Sequence, residues 1–126
     1  MEIIGIGTDI IECERISRMI ERHPDMFLER VYTEAEREYC GRMKSATESY
    51  AGRWAAKEAV LKAIGTGWIK GIAWTDVEVV KLSDGRPTIE LHDGALAEAE
   101  ARGIRQILIT ISHCKCHATA TAIALG

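Results

Sequence analysis

Two carboxylates stand in this sequence where carboxylates are costly. Asp9 closes Gly5-Ile6-Gly7-Thr8-Asp9, inside residues 2–11, whose β-branched residues predict a strand. Alternate strand residues share a face, so Gly5, Gly7 and Asp9 fall together, with Ile3 and Ile11. Glycine weakens a strand, and its repeated use predicts close approach by a ligand or by another backbone. The plainer reading is that Asp9 caps the next turn and the glycines ease packing. Glu58 lies in a segment predicted to be a helix. At about 100° per residue, Ala51, Trp54, Ala55, Leu61, Lys62 and Gly65 fall within about 60° of it. Ala56, Ala59, Val60, Ala63 and Ile64 occupy the far side, and a helix apolar all round belongs in a core.

A buried charge must be paired or bound to a metal. Lys62 is one helical turn from Glu58 and is one candidate partner, as a plain ion pair. The other reading sets Glu58 beside Asp9 around a hard cation. Carboxylate oxygens suit Mg²⁺, which takes one or two of them and fills its shell with water and phosphate oxygens. Lys57 and Lys62 are then phosphate partners. The residues alone reach a Mg²⁺–phosphate site and do not name a substrate.

These side chains need elements to hold them. Residues 12–23 read as a helix with Ile16, Met19 and Ile20 on one stripe, ended by Pro24. Thr33-Glu34-Ala35-Glu36 and Ser45-Ala46-Thr47-Glu48 each fit a capping box. The second opens a helix of about 19 residues that runs to Gly65. Residues 75–82 and 87–92 read as strands joined by a turn at Ser83-Asp84-Gly85-Arg86. Residues 94–102 read as a short helix stopped by Gly103, and Ile107–Ser112 and Thr119–Leu125 alternate as strands. The fold class expected is α+β, with helices packed on an antiparallel sheet in one domain, 1–126.

Composition removes other classes. A formal charge of −3 argues against a general nucleic-acid binder. No apolar run approaches the roughly 20 residues that span a bilayer, and the start has no basic region of a signal peptide. A cytoplasmic chain with no membrane role is the expectation, with Cys13, Cys40, Cys114 and Cys116 kept reduced.

The same residues carry a resemblance. Gly5-Ile6-Gly7-Thr8-Asp9-Ile10, then Glu12, Arg15-Ile16, Phe27, Arg30, Thr33 and Glu36, resemble the opening of the holo-acyl-carrier-protein synthases. Arg53-Trp54-Ala55-Ala56-Lys57-Glu58-Ala59-Val60-Leu61-Lys62-Ala63 is similar to the W/F-x-x-K-E-x-x-x-K signature of the wider 4'-phosphopantetheinyl transferases. Gly65-Thr66-Gly67, Gly85-Arg86-Pro87 and Ser112-His113 match later landmarks, so the resemblance spans nearly the whole chain. It implies the 4'-phosphopantetheinyl transferase fold and a Mg²⁺-dependent transfer in fatty acid biosynthesis. Phosphopantetheine would pass from coenzyme A to a serine of an apo acyl carrier protein, with adenosine 3',5'-bisphosphate as the other product. Asp9 and Glu58 would hold the metal, Glu58 and Lys62 would be catalytic, and Lys57, Lys62 and His113 would contact the coenzyme. Either Glu58 or a metal-bound water would take the serine proton. The family also implies a homotrimer with active sites between subunits.

Arg15, Arg18 and Arg22 share one face of the predicted first helix. Given the resemblance, they would steer and orient an acidic carrier protein; otherwise they are a solvated face balanced by Glu14 and Glu21. Pro24-Asp25-Met26 stands where the family often has further basic residues. His113-Cys114-Lys115-Cys116-His117 also departs from the family, which more often has an acidic residue after Ser-His. Its spacing does not fit a zinc site, and a turn between strands is the expectation. The alternatives kept open are a non-catalytic carrier-docking module of the same fold, a metal-binding regulator built on the His-Cys cluster, and another enzyme using Mg²⁺ and a nucleotide.

Overall fold

The computed structural model describes all of residues 1–126. Strand β1 (Ile3–Glu12) pairs antiparallel with β5 (His117–Leu125), which pairs with β4 (Gln106–His113), so the sheet order is β1-β5-β4. Helix α1 (Cys13–Arg22) follows β1 directly, then come α2 (Pro24–Val31), α3 (Glu34–Gly41) and α4 (Ala46–Ile64). A short 3-10 turn (Trp74–Asp76) leads into the hairpin β2 (Val77–Lys81) and β3 (Pro87–Leu91), and α5 (Asp93–Ala101) precedes β4.

The sequence explains why α4 lies so close to the sheet. The inward side of β5 is Ala118, Ala120, Ala122 and Ala124, all buried. On β1 the inward side is Gly5 and Gly7. A Cβ on Gly5 would sit 1.9 Å from the Ala63 carbonyl oxygen, and one on Gly7 would sit 2.0 Å from that of Ala59. Of the two approaches predicted for these glycines, the structure shows a helix backbone. The glycine repeat seats α4 on β1, and that seating brings the next inward residue, Asp9, to the helix.

Several expectations are corrected. Pro24 does not simply end a helix. The first helix stops at Arg22, and Pro24 opens α2 from its first position, where a missing N–H costs nothing. Ser45 stands at the N-cap of α4 but its side chain makes no capping bond, because its backbone (φ −108°, ψ 67°) is not in the usual extended cap conformation. Thr33 does cap: its Oγ1 accepts from Glu36 N–H at 3.2 Å, and its own N–H donates to Glu36 Oε1 at 3.0 Å. Ile3 does not share the buried side with Ile11, because the β1–β5 register shifts between Ile3 and Gly5 and turns Ile3 outward. The strand expected from residue 75 begins at Val77, since Trp74–Asp76 close the 3-10 turn first. Helix α4 covers 19 residues and ends as expected at Gly65, whose φ of 96° is left-handed.

Candidate active site

Asp9, Glu58 and Lys62 come together where β1 meets α4. Lys62 Nζ donates to Asp9 Oδ1 at 3.2 Å and to the Thr8 carbonyl at 2.8 Å. The ammonium is half exposed (50%) and the Asp9 side chain is mostly covered (16%). Lys62 therefore pairs across to the strand rather than along its own helix with Glu58. Glu58 is half-buried, and burial is the main force pushing its carboxyl above the usual range. The Asp9 charge pushes the same way, while Trp68, Lys62 and Arg15 pull it back. The Trp68 indole N–H favours the charged carboxylate by proximity but forms no hydrogen bond, for Nε1 is buried and unpartnered.

Asp9 and Glu58, whose charges act on each other, offer oxygen donors of the kind that suit a hard divalent ion. No third His, Cys, Asp or Glu converges to make a full protein cage. That fits Mg²⁺, which usually keeps several positions for water and phosphate.

Lys57 is corrected. It was expected beside a phosphate, but its side chain and that of Glu36 are both 0% exposed, 2.8 Å apart. The ammonium also donates to the carbonyls of Trp74 and Val77. With its three donors spent, Lys57 does not open toward Asp9 and Glu58. Glu36 in turn accepts from the Val79 N–H at 3.0 Å, so the pair ties α3, α4, the 3-10 turn and β2 together. Burial lowers the Lys57 pKa and Glu36 opposes that fall.

His113 is exposed at the end of β4, its Nδ1 3.5 Å from Glu48 Oε2. It lines a separate cavity of about 180 Å³ with Tyr39, Arg53, Lys81 and Pro87. Its partner is Glu48, not Asp9 or Glu58. Sequence reasoning assigned no role to Arg53. Its guanidinium lies 4.2 Å from the Tyr39 ring centroid, and its Nε is buried without a hydrogen-bond partner. The available signal was an arginine on a largely apolar helix that also carries Lys57, Glu58 and Lys62. Lys81 Nζ donates to Tyr39 Oη at 2.7 Å, so this cavity carries two cations.

Arg15, Arg18 and Arg22 are all exposed on α1. The Arg15 charge also reaches Glu58 and favours its carboxylate.

The sequence model of the 4'-phosphopantetheinyl transferase superfamily matches residues 5–118. The chain belongs to that superfamily. Among its phosphopantetheinyl transferase relatives, the holo-[acyl-carrier-protein] synthase of Chlamydia pneumoniae is 50% identical over 126 residues, covering 100% of both chains. That of Solibacter usitatus is 48% identical over 111 residues, covering 88% of this chain and 89% of its own. The crystal structure of the Neisseria meningitidis holo-[acyl-carrier-protein] synthase superposes with a TM-score of 0.91 at 27% identity, covering 99% of this chain and 100% of that one. The Helicobacter pylori enzyme in complex with coenzyme A gives a TM-score of 0.84 at 29% identity, covering 95% and 99%. The expected fold class, helices on an antiparallel sheet in the phosphopantetheinyl transferase arrangement, is the one observed.

Proposed function

We propose that this protein transfers 4'-phosphopantetheine from coenzyme A to a serine hydroxyl of an apo acyl carrier protein, with Mg²⁺, for fatty acid biosynthesis. The observation that carries the reading is the meeting of Asp9, Glu58 and Lys62 at the β1–α4 contact. The serine oxygen forms a bond to the β-phosphorus, the pyrophosphate bridge breaks, and adenosine 3',5'-bisphosphate leaves. Such a transfer needs positioning and charge neutralisation rather than covalent help from the protein. Asp9 and Glu58 are the residues that would hold Mg²⁺, which supplies Lewis-acid neutralisation of the phosphates when bound. Lys62, half exposed and already turned to the site, neutralises further phosphate charge. Exposed Arg15, Arg18 and Arg22 offer an acidic carrier a cationic approach, and the Arg15 charge reaches Glu58.

The reading extends to a homotrimer. The outward side of the sheet leaves Ile6 66% and Ile10 69% exposed, with Leu108 on β4 also bare. A copy of this chain packed there would cover them. Packing of that kind also offers a route for the His113–Arg53 cavity of one protomer to face the Asp9–Glu58–Lys62 group of its neighbour. The coenzyme would then lie between subunits, with His113 and Arg53 on its far end. No helix is long and apolar enough to cross a membrane, which accords with a cytoplasmic enzyme.

The test is intact-protein mass spectrometry of an apo acyl carrier protein incubated with this protein, coenzyme A and Mg²⁺, with and without a chelator. A chelator-sensitive gain of one phosphopantetheine group is expected. No gain across several apo carriers overturns the reading and favours a docking module.

A further inference from the structure

The turn between β4 and β5 departs from the family pattern, and its two thiols play no part in the proposed transfer. Cys114 and Cys116 are exposed and free, and Cys13, at the start of α1, is buried and free. The β1–β5 register pairs Ile11 with Ala118 and Glu12 with His117. One step further sets Cys13 directly opposite Cys116. The ladder does continue that far, because the Cys13 N–H donates to the Cys116 carbonyl at 2.8 Å. Counting by twos from Ile11 and Ala118 reaches Cys13, the buried first residue of α1, and Cys116, exposed in the turn before β5. Opposite residues in a hydrogen-bonded antiparallel pair have Cα atoms about 5.5 Å apart. Disulfides span Cα separations of about 4.4–6.8 Å.

We propose that Cys13 and Cys116 are a modification site: a reversible cross-strand disulfide formed by exchange with a low-molecular-weight disulfide such as glutathione disulfide. The exposed Cys116 thiolate attacks one sulfur of the small disulfide, forms a mixed disulfide and releases one thiol. Cys13 gives up its proton to water and attacks the Cys116 sulfur, and the second small thiol leaves. Two protein thiols are oxidised and one small disulfide is reduced to two thiols. The division of roles follows from exposure. Cys13 is covered, and burial raises its pKa, with Glu48, Cys114 and Cys116 adding to the rise. It is poor at meeting a reagent, but its backbone is already hydrogen-bonded to Cys116. In a reducing cytoplasm such a bond is transient. It would tie the first residue of α1, whose exposed face carries Arg15, to the turn that follows His113.

Trypsin makes the test clean, because it cuts after Arg15 and Lys115 and so separates all three cysteines. The reduced protein is incubated with glutathione disulfide, free thiols are alkylated, and the digest is mapped without reduction. The expected product is the Met1–Arg15 peptide linked to the Cys116–Gly126 peptide, restored to two free peptides by a thiol reductant. Cys114→Ser, an exposed change, must keep that link. A Cys114–Cys116 link as the main product, glutathione left on Cys116 with Cys13 still free, or loss of the link in Cys114→Ser overturns the proposal.

Discussion

Asp9 and Glu58 repel each other, and Lys62 relieves only one of them by direct contact. Such a pair persists because α4 is fixed on β1 by packing elsewhere. Replacing either carboxylate by alanine removes a charge and leaves the seat intact. Asp9→Ala and Glu58→Ala are expected to fold and to lose transfer by about 100-fold or more at limiting Mg²⁺. A metal contributes several kcal/mol to the transition state, and each 1.36 kcal/mol is about tenfold. Steady-state rates across a Mg²⁺ titration, with circular dichroism as the folding control, check this; full activity in either variant removes the metal assignment. Lys57 calls for the opposite outcome. Removing one member of a fully buried pair leaves an uncompensated charge, costing about 3–5 kcal/mol. Lys57→Ala is expected to lower the urea midpoint sharply. A Glu36→Gln, Lys57→Met double variant should recover part of the loss, and stability unchanged in Lys57→Ala would refute the clamp. On the proposed function the two neighbours in Lys57-Glu58 divide the work, one holding the fold and the other serving the site. Sequence alone could not separate them. At about 100° per residue they point to different faces, but which face meets a cleft is decided by what packs there.

The element that decides the site is the β1–α4 contact, and it was partly readable from sequence. The alanines of β5 that complete the seat were not read. The glycine repeat announced close approach by a ligand or another backbone, and the all-round apolar α4 announced a buried helix. What they left open was whether the glycines cleared space for a ligand or for a backbone. Gly7→Ala puts the question to the protein. Its Cβ would fall 2.0 Å from the Ala59 carbonyl oxygen and 2.7 Å from the Ala63 nitrogen, both backbone atoms that can move only with the helix. Overpacking of this kind costs about 1–3 kcal/mol, and the helix shift also displaces Glu58 from Asp9. The expected result is a lowered urea midpoint together with weaker Mg²⁺ dependence of whatever activity remains. Native stability with only coenzyme binding lost would show instead that the space serves a ligand. The elements misread from sequence share a cause. Pro24, Ser45 and the start of β2 are boundaries, where a Pro can close one helix or open the next and a cap residue works only if its backbone is extended.

At the scale of the whole molecule, the candidate phosphate partners fall into two groups. Lys62 pairs with Asp9 and the Arg15 charge reaches Glu58, while Arg53, Lys81 and His113 line the second cavity. The resemblance implied sites between subunits, but no residue pattern read within one chain says which groups would meet. The bare sheet face is what supports the proposed assembly. Ile6 and Ile10 are four residues apart on the same side of β1, and both are about two-thirds exposed. At about 25 cal/mol per Å² of apolar surface, leaving such side chains in water forgoes a few kcal/mol per protomer that a neighbouring copy would recover. Charge placed there should therefore act on assembly before it acts on the fold. An Ile6→Lys, Ile10→Lys variant is expected to sediment as a smaller species than the parent at equal concentration, with its helix content intact. If the coenzyme is held between subunits, the same variant loses transfer although every residue of the Asp9–Glu58–Lys62 group is unchanged, and activity should rise with protein concentration as copies re-associate. A monomeric variant with full, concentration-independent activity would show that one protomer completes its own site, and that the His113–Arg53 cavity serves something other than the coenzyme.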